Sequence, residues 1–257
     1  MLLEGVGFEV PGSSILKAVT ITFPDRGVSG LVGRSGSGKS TLLKILARQQ
    51  AATHGNISFG GRPLGSWGER EFARKVAYLP QYTPLAAGLK VRELVALGRY
   101  PWHGALGRFG PADHDKVKEA LTLTSTDSFA DRLVDTLSGG ERQRVWLAML
   151  IAQDAKLLLL DEPISSLDVA QQVAVLKLVS RLSQERSAAV VIAIHEINMA
   201  ARFCDQIVAL KNGQMIAHGP ADEFMTAARL EEIYDVAMGV IPNPDTGAAI
   251  AYVRDPK

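Results

Sequence analysis

The sequence predicts an α/β fold: a mostly parallel sheet with helices on both faces, an N-terminal antiparallel β subdomain and a helical insertion. Three observations carry this expectation. The runs LLLLD at 157–161 and AVVIAI at 189–194 are almost wholly apolar, as strands covered on both faces are. Stretches with helical spacing, at about 140–153 and 168–185, alternate with those runs, which is the βαβ order of a parallel sheet. Residues 2–27 instead alternate apolar and polar positions around a Pro-Gly-Ser-Ser turn at 11–14, as antiparallel strands with one wet face do.

Each element follows in order. LLEGVGFEV and ILKAVTITF read as the first strands, with Val19, Ile21 and Phe23 alternating against Thr20, Thr22 and Pro24. Val28–Val32 is a short apolar strand that stops at Gly33. Residues 39–47 (KSTLLKILA) have helical spacing, with Leu42, Leu43 and Leu46 on one face. The apolar stretch VAYL leads into Pro80 and Gln81. Helical patterns around 91–98 and 113–124 flank the Gly- and aromatic-rich string RYPWHGALGRFG, and together they make a helical subdomain over about 85–150. Gln206–Leu210 and Gln214–Ala217 flank Lys-Asn-Gly, a hairpin signal. A short helix at about 221–235 closes a domain of residues 1–235, and 236–257 is a Pro/Gly-containing tail.

Composition narrows the function classes. The 257 residues are 47% hydrophobic and 21% charged, which suits a chain that buries a sizeable core. Lys and Arg number 28 against 27 Asp and Glu, a net charge of +1, so a nucleic-acid-coating protein is disfavoured and no nucleic-acid partner is expected. The single cysteine, Cys204, cannot form an internal disulfide, and the five histidines are scattered. The longest apolar runs, Val145–Ala152 and Ala188–Ile194, fall far short of the roughly 18–20 residues of a spanning helix. The start MLLEGVGFEV has no basic residues and carries Glu4, unlike a signal peptide. The expectation is a protein that stays where it is made and serves a membrane only as a guest on a partner.

Chemistry concentrates in three strings. Gly33–Ser40 reads GRSGSGKS, the pattern G-x-x-x-x-G-K-S between a strand and a helix. Its glycines let successive N–H groups curl toward phosphate oxygens, and the helix that follows offers its positive end. Lys39 would reach the β- and γ-phosphates and Ser40 would bind Mg²⁺. LLLLDE places Asp161 and Glu162 at the end of a rigid strand, Asp161 toward Mg²⁺ and Glu162 toward a water in line with the γ-phosphate. LSGGE at 137–141 makes a second anion-binding helix start, although a Ser-Gly-Gly start is also an ordinary helix cap. One nucleotide does not need two such loops on one chain. The economical answer is a head-to-tail pair of copies enclosing two ATPs.

In that order, GRSGSGKS, LSGGERQR and LLLLDEPISSLD resemble the nucleotide-binding subunits of ABC transporters, over about residues 2–220. The resemblance implies a P-loop NTPase core, ATP and Mg²⁺ as cofactors, and ATP hydrolysis. It implies that Gly33, Arg34, Ser35, Gly36, Ser37, Gly38, Lys39, Ser40 and Thr41 hold the nucleotide of their own copy. Ser138, Gly139, Gly140 and Glu141, with Asp168, would close on the nucleotide of the other copy. Ser40, Gln81 and Asp161 would meet the metal. Glu162 would act as base, Lys39 would serve the transferring phosphate, and His195 would contact the γ-phosphate as a switch. Gln81 would sense the γ-phosphate and relay it to the permease. Two positions depart from the family. Val10 stands where an aromatic residue usually stacks on adenine, with Phe8 two residues earlier, and Ile164 stands where many members have Thr.

The string VRELVALGRYPWHGALGRFG is similar to the siderophore and vitamin B12 import branch, and YPWHGALGRFG to its ferric-hydroxamate importers. That resemblance implies a permease partner in the inner membrane, an indirect extracytoplasmic substrate-binding protein, and a peripheral place on the cytoplasmic face. The chelate would be selected by those partners, so import of another iron chelate or of vitamin B12 is the alternative. Other ATPase classes fit less well. A chromosome or repair ATPase would need a long coiled coil, and no sustained heptads occur. A translation-factor type would carry two phosphate loops, and a GTPase would carry N-K-x-D. A nucleotide-binding module without hydrolysis would not need Lys39, Asp161, Glu162 and His195 together.

Overall fold

The structure, a computed structural model, describes residues 1–84, 86–104, 107–165 and 167–254. The chain opens with β1 (Leu2–Val10), β2 (Ser13–Thr22), β3 (Gly27–Val32) and α1 (Lys39–Leu46). It continues through β4 (His54–Phe59), β5 (Arg62–Pro63), α2 (Glu69–Ala73) and β6 (Val76–Leu79). The helical part holds α3 (Val91–Leu97), α4 (Tyr100–His103), α5 (Pro111–Leu123) and α6 (Gly139–Ala152). Then come β7 (Leu157–Asp161), α7 (Val169–Arg186), β8 (Ala189–Ala193), α8 (Ile197–Phe203), β9 (Gln206–Lys211) and β10 (Gln214–Pro220). The last elements are α9 (Ala227–Tyr234), β11 (Met238–Pro242) and β12 (Ala249–Val253).

The main sheet has the order β10-β9-β3-β8-β7-β6, parallel except at β10. Alternate residues of its central strands serve two different cores. Leu158, Leu160, Val190 and Ile192 join a core with α3, α5, α6, α7 and α8. Leu157, Leu159 and Val191 join a second core with α1, β1 and β2. Burial on both faces is why these strands are apolar throughout, and each fully buried leucine contributes about 1.5–3 kcal/mol. Helices do cover both faces, but on the second face α1 and the short α2, through Phe72, share the layer with the antiparallel sheet β2-β1-β4-β5.

The turn between β1 and β2 is set by Pro11 and Gly12, with Gly12 at φ +80°, a slot that favours glycine. Val19, Ile21 and Phe23 are buried, as their alternation predicts. β9 and β10 pair Lys211 with Gln214 across a two-residue turn in which Asn212 and Gly213 both have positive φ. β4, β5 and α2 were not anticipated. The first two lie at a half-exposed sheet edge, where burial imposes no clean period.

The C-terminal region differs from the expectation of one helix over about 221–235 followed by a Pro/Gly-containing tail outside the domain. A 3-10 turn at Ala221–Phe224 precedes α9, which starts at the Thr226 cap, where the threonine hydroxyl accepts the Arg229 N–H at 3.4 Å. The tail folds into the β11–β12 hairpin, with Met238 and Ala251 buried in the main core. Asn198 of α8 holds the hairpin in place by exchanging two hydrogen bonds with the Ala251 backbone, at 3.0 and 2.8 Å.

Candidate active site

The parallel strands bring their C-terminal ends together, and the candidate site lies there. β3 delivers the phosphate loop. Gly33 has φ +138°, and a Cβ there would sit 2.1 Å from the Leu210 carbonyl oxygen, so the loop leaves the sheet pressed against β9. Gly36 and Gly38 also have positive φ, which lets the backbone curl. Gly38 caps α1 without a side-chain acceptor, so the first-turn N–H groups of α1 remain available to an anion. The Ser37 hydroxyl is buried without a hydrogen-bond partner. These features suit a polyphosphate.

Lys39 is buried, and its Nζ donates to the carbonyls of Gly33 at 2.8 Å and Arg34 at 3.1 Å. Burial lowers its pKa, while the charges of Glu162 and Asp161 oppose that shift. Ser40 Oγ donates to Asp161 Oδ1 at 2.8 Å. Burial raises the Asp161 pKa, against the pull of the Ser40 hydrogen bond. Ser40 and Asp161 form a hard oxygen pair that fits Mg²⁺ arriving with phosphate oxygens. Among the described residues no group of three or more His, Cys, Asp or Glu could hold a metal without such help.

Glu162 follows β7 in a left-handed backbone conformation, φ +50°, an outlier that non-glycine residues adopt at a cost of about 1–3 kcal/mol. Its carboxylate is 9% exposed and is gripped from both sides. Gln81 Nε2, from the loop after β6, donates at 2.6 Å. His195 Nε2, from the loop after β8, meets the other oxygen at 2.5 Å. The structure therefore gathers Lys39, Ser40, Asp161, Glu162, Gln81 and His195. Gln81 stands beside the Ser40–Asp161 pair through Glu162, the residue that follows Asp161 in the chain.

The second loop stands apart. Ser138 caps α6: its N–H donates to Glu141 Oε2 at 2.8 Å, and its hydroxyl accepts the Glu141 N–H at 3.3 Å. The Ser138 N–H holds the Glu141 pKa below the usual carboxylate range. Asp168 caps α7 by accepting the Gln171 N–H at 2.8 Å. Among the described residues no hydrogen bond links Ser138, Gly139, Gly140, Glu141 or Asp168 to the phosphate loop. Phe8 leans on the second core, and Val10 is 40% exposed at the strand end. Ile164 is buried in the main core, which suits its apolar side chain.

Two neighbours were missed from sequence. Tyr78 donates to Asp161 Oδ2 at 3.4 Å, and burial beside that carboxylate pushes its phenol well up. Its place at the end of β6, beside the end of β7, was the available signal. Asp235 pairs with Arg34 of the phosphate loop at 3.0 Å, across 201 positions, and nothing local announces it.

Comparison with known proteins settles the family. The ABC transporter family matches residues 16–165. The chain belongs to the ABC transporter family. Among relatives of this family, an iron(3+)-hydroxamate import ATP-binding protein of Bacillus subtilis is 36% identical over 98% of this chain and 94% of its own length. A ferric enterobactin transport ATP-binding protein of Escherichia coli is 35% identical over 92% and 88%. A hemin import ATP-binding protein of Streptomyces coelicolor is 40% identical over 96% and 87%. A dimeric ATP-binding cassette in a post-hydrolysis state with ADP and Pi superposes with TM-score 0.76 at 26% identity, covering 86% of this chain and 98% of that one. The fold also matches a chain of an inward-facing ABC transporter, with TM-score 0.84 at 24% identity over 98% and 95%. No helix among the described residues of this ABC family member is long and apolar enough to cross a membrane.

Proposed function

We propose that the chain is the ATP-hydrolysing subunit of an importer for an iron(III)-hydroxamate siderophore. It works as a head-to-tail pair on the cytoplasmic face of a membrane permease. The permease is served by an extracytoplasmic substrate-binding protein. The observation that carries hydrolysis is the carboxylate of Glu162, held between Gln81 and His195 beside the Ser40–Asp161 pair.

The phosphate loop and the α1 N-terminus bind the triphosphate, and Lys39 exchanges its two carbonyl contacts for phosphate oxygens. Ser40 and Asp161 would hold Mg²⁺, which when bound neutralises phosphate charge. Glu162 orients a water and takes its proton as the water oxygen bonds to the γ-phosphorus, while the bond from that phosphorus to the β–γ bridging oxygen breaks and ADP leaves. His195 and Gln81 fix both carboxylate oxygens, and Gln81 links this state to the helical part that follows it in the chain. Ser138–Glu141 and Asp168 lie on separate helix starts, consistent with service to the partner's nucleotide. The helical subdomain over about 85–150 is the surface that docks on the permease.

The test of hydrolysis is ATP turnover by the purified chain. The cargo is tested by uptake in a strain deleted for this chain. Loss of ferric-hydroxamate uptake supports the reading. Loss confined to hemin would favour the alternative of another iron chelate as cargo, for which the 40% identical hemin relative speaks.

A further inference from the structure

The C-terminal segment touches both loops of the site. Asp235 is the residue at which α9 ends, in left-handed backbone (φ 59°), with its N–H bonded to the Glu231 carbonyl at 2.9 Å. Its carboxylate is shared by two cations: Arg34 Nη1 lies 3.0 Å from Oδ2 and Lys211 Nζ 2.5 Å from Oδ1. Lys211 also donates to the Glu232 carbonyl at 2.7 Å, which places positive charge at the carbonyl end of the helix. Arg34 is the second residue of the phosphate loop, and its own carbonyl holds Lys39 Nζ at 3.1 Å. A continuous chain of contacts therefore runs from α9 through Asp235 and Arg34 to Lys39. On the other side, the Tyr234 hydroxyl donates to the His195 carbonyl at 3.4 Å. The loops bearing Lys39 and His195 thus lean on one segment that contains none of the nucleotide motifs.

We propose that Asp235 is a positioning residue for the phosphate loop: by fixing Arg34 to the end of α9 it holds the loop in the shape that receives the triphosphate. The C-terminal segment thereby sets the affinity for nucleotide. This rests on the ATP reading above. The physical reason is conformational entropy. A loop with three glycines at positive φ has many shapes to lose on binding, and a tether made before binding removes part of that cost. The Arg34 and Asp235 side chains are 61% and 46% exposed, so as a surface pair they add little to global stability. Their effect falls on the loop.

The test is a titration of the full chain with Mg-ATP and with ADP, using the parent, Asp235→Asn, Arg34→Ala, the double variant and Asp235→Glu. Asp235→Asn is expected to bind both nucleotides about threefold to fivefold more weakly, the upper range for an exposed pair. Its KM for ATP should rise in step, with kcat at saturation close to the parent's and a melting temperature within about 2 °C. The double variant should bind no worse than the weaker single variant, and Asp235→Glu should recover part of the loss. Parental affinity in Asp235→Asn overturns the proposal. So does a double-variant loss equal to the product of the two single losses, because Arg34 and Asp235 would then act independently. Failure of the parent itself to bind ATP would refute the nucleotide reading, and it would be seen before any variant is compared.

Discussion

Replacing Glu162 by Gln separates binding from hydrolysis. The carboxylate accepts from Gln81 at 2.6 Å and meets His195 Nε2 at 2.5 Å. An amide accepts only on its oxygen, so its NH₂ would face one of those two N–H donors. A polar group left unsatisfied when buried costs about 1–3 kcal/mol. Two escapes lower that cost: the Gln81 amide can turn to present its oxygen, and the His195 side chain is 40% exposed and can bond to water. A stability loss of about 1 kcal/mol follows, or about 2–4 °C in melting temperature. Hydrolysis suffers far more. Removing a general base costs about 10²–10⁴-fold, or about 3–5.5 kcal/mol of barrier. Binding should survive, because Lys39, Ser40 and the loop are untouched and one negative charge beside the triphosphate is gone. The assays are phosphate release, equilibrium ATP binding, and size-exclusion chromatography with ATP to detect a stabilised dimer. Turnover within tenfold of the parent would remove Glu162 from the role of base. Loss of ATP binding would show that its role is to shape the loop.

Three further outcomes are expected. Gly33→Ala drives a Cβ to 2.1 Å from the Leu210 carbonyl oxygen at a φ of +138°, so the loop must shift. A strain of about 2 kcal/mol would weaken ATP binding roughly thirtyfold while circular dichroism stays native, and undiminished affinity would contradict the loop geometry. Asp113 is nearly buried, and burial pushes its pKa up, but the Gly110 N–H and Arg99 outweigh this and hold the pKa below the ordinary 3.8. A depressed folded pKa gives stability that is present above the ordinary value and is lost as pH falls through the folded one. The helical part should therefore loosen below about pH 4, and Asp113→Ala should cost about 3 kcal/mol at neutral pH by stranding the 8%-exposed Arg99 side chain; acid and thermal melts read both. Ser187 ends α7 in left-handed backbone (φ 49°, ψ 40°). Ser187→Gly removes a penalty of about 1–2 kcal/mol at a backbone-entropy cost of about 0.5–1, so a rise of about 1–3 °C in melting temperature is expected, and a fall would contradict that backbone assignment.

Much of this protein was legible in the order of its residues, because the signals are local. GRSGSGKS needs only neighbouring glycines and a following helix to shape an anion cradle. LLLLD and AVVIAI announce doubly covered strands because both faces must be apolar. The Asn-Gly turn of β9–β10 needs only two residues that tolerate positive φ. Local signals failed where burial is partial or contacts are remote. β4 and β5 lie at a half-exposed edge. The C-terminal hairpin is held by Asn198, more than fifty positions upstream of Ala251.

Packing alone decided which groups meet. Gln81 and Glu162 are 81 positions apart, and they touch because β6 and β7 lie side by side in the sheet. His195 reaches the same carboxylate because β8 lies on the other side of β7. The left-handed backbone at Glu162 and the bond from Asp235 to the phosphate loop leave no mark in neighbouring residues. Short-range sterics and hydrophobic period act over a few residues and can be read along the chain. The pairing of distant loops is set by strand order and by the fit of two cores, which exist only once the chain has closed on itself.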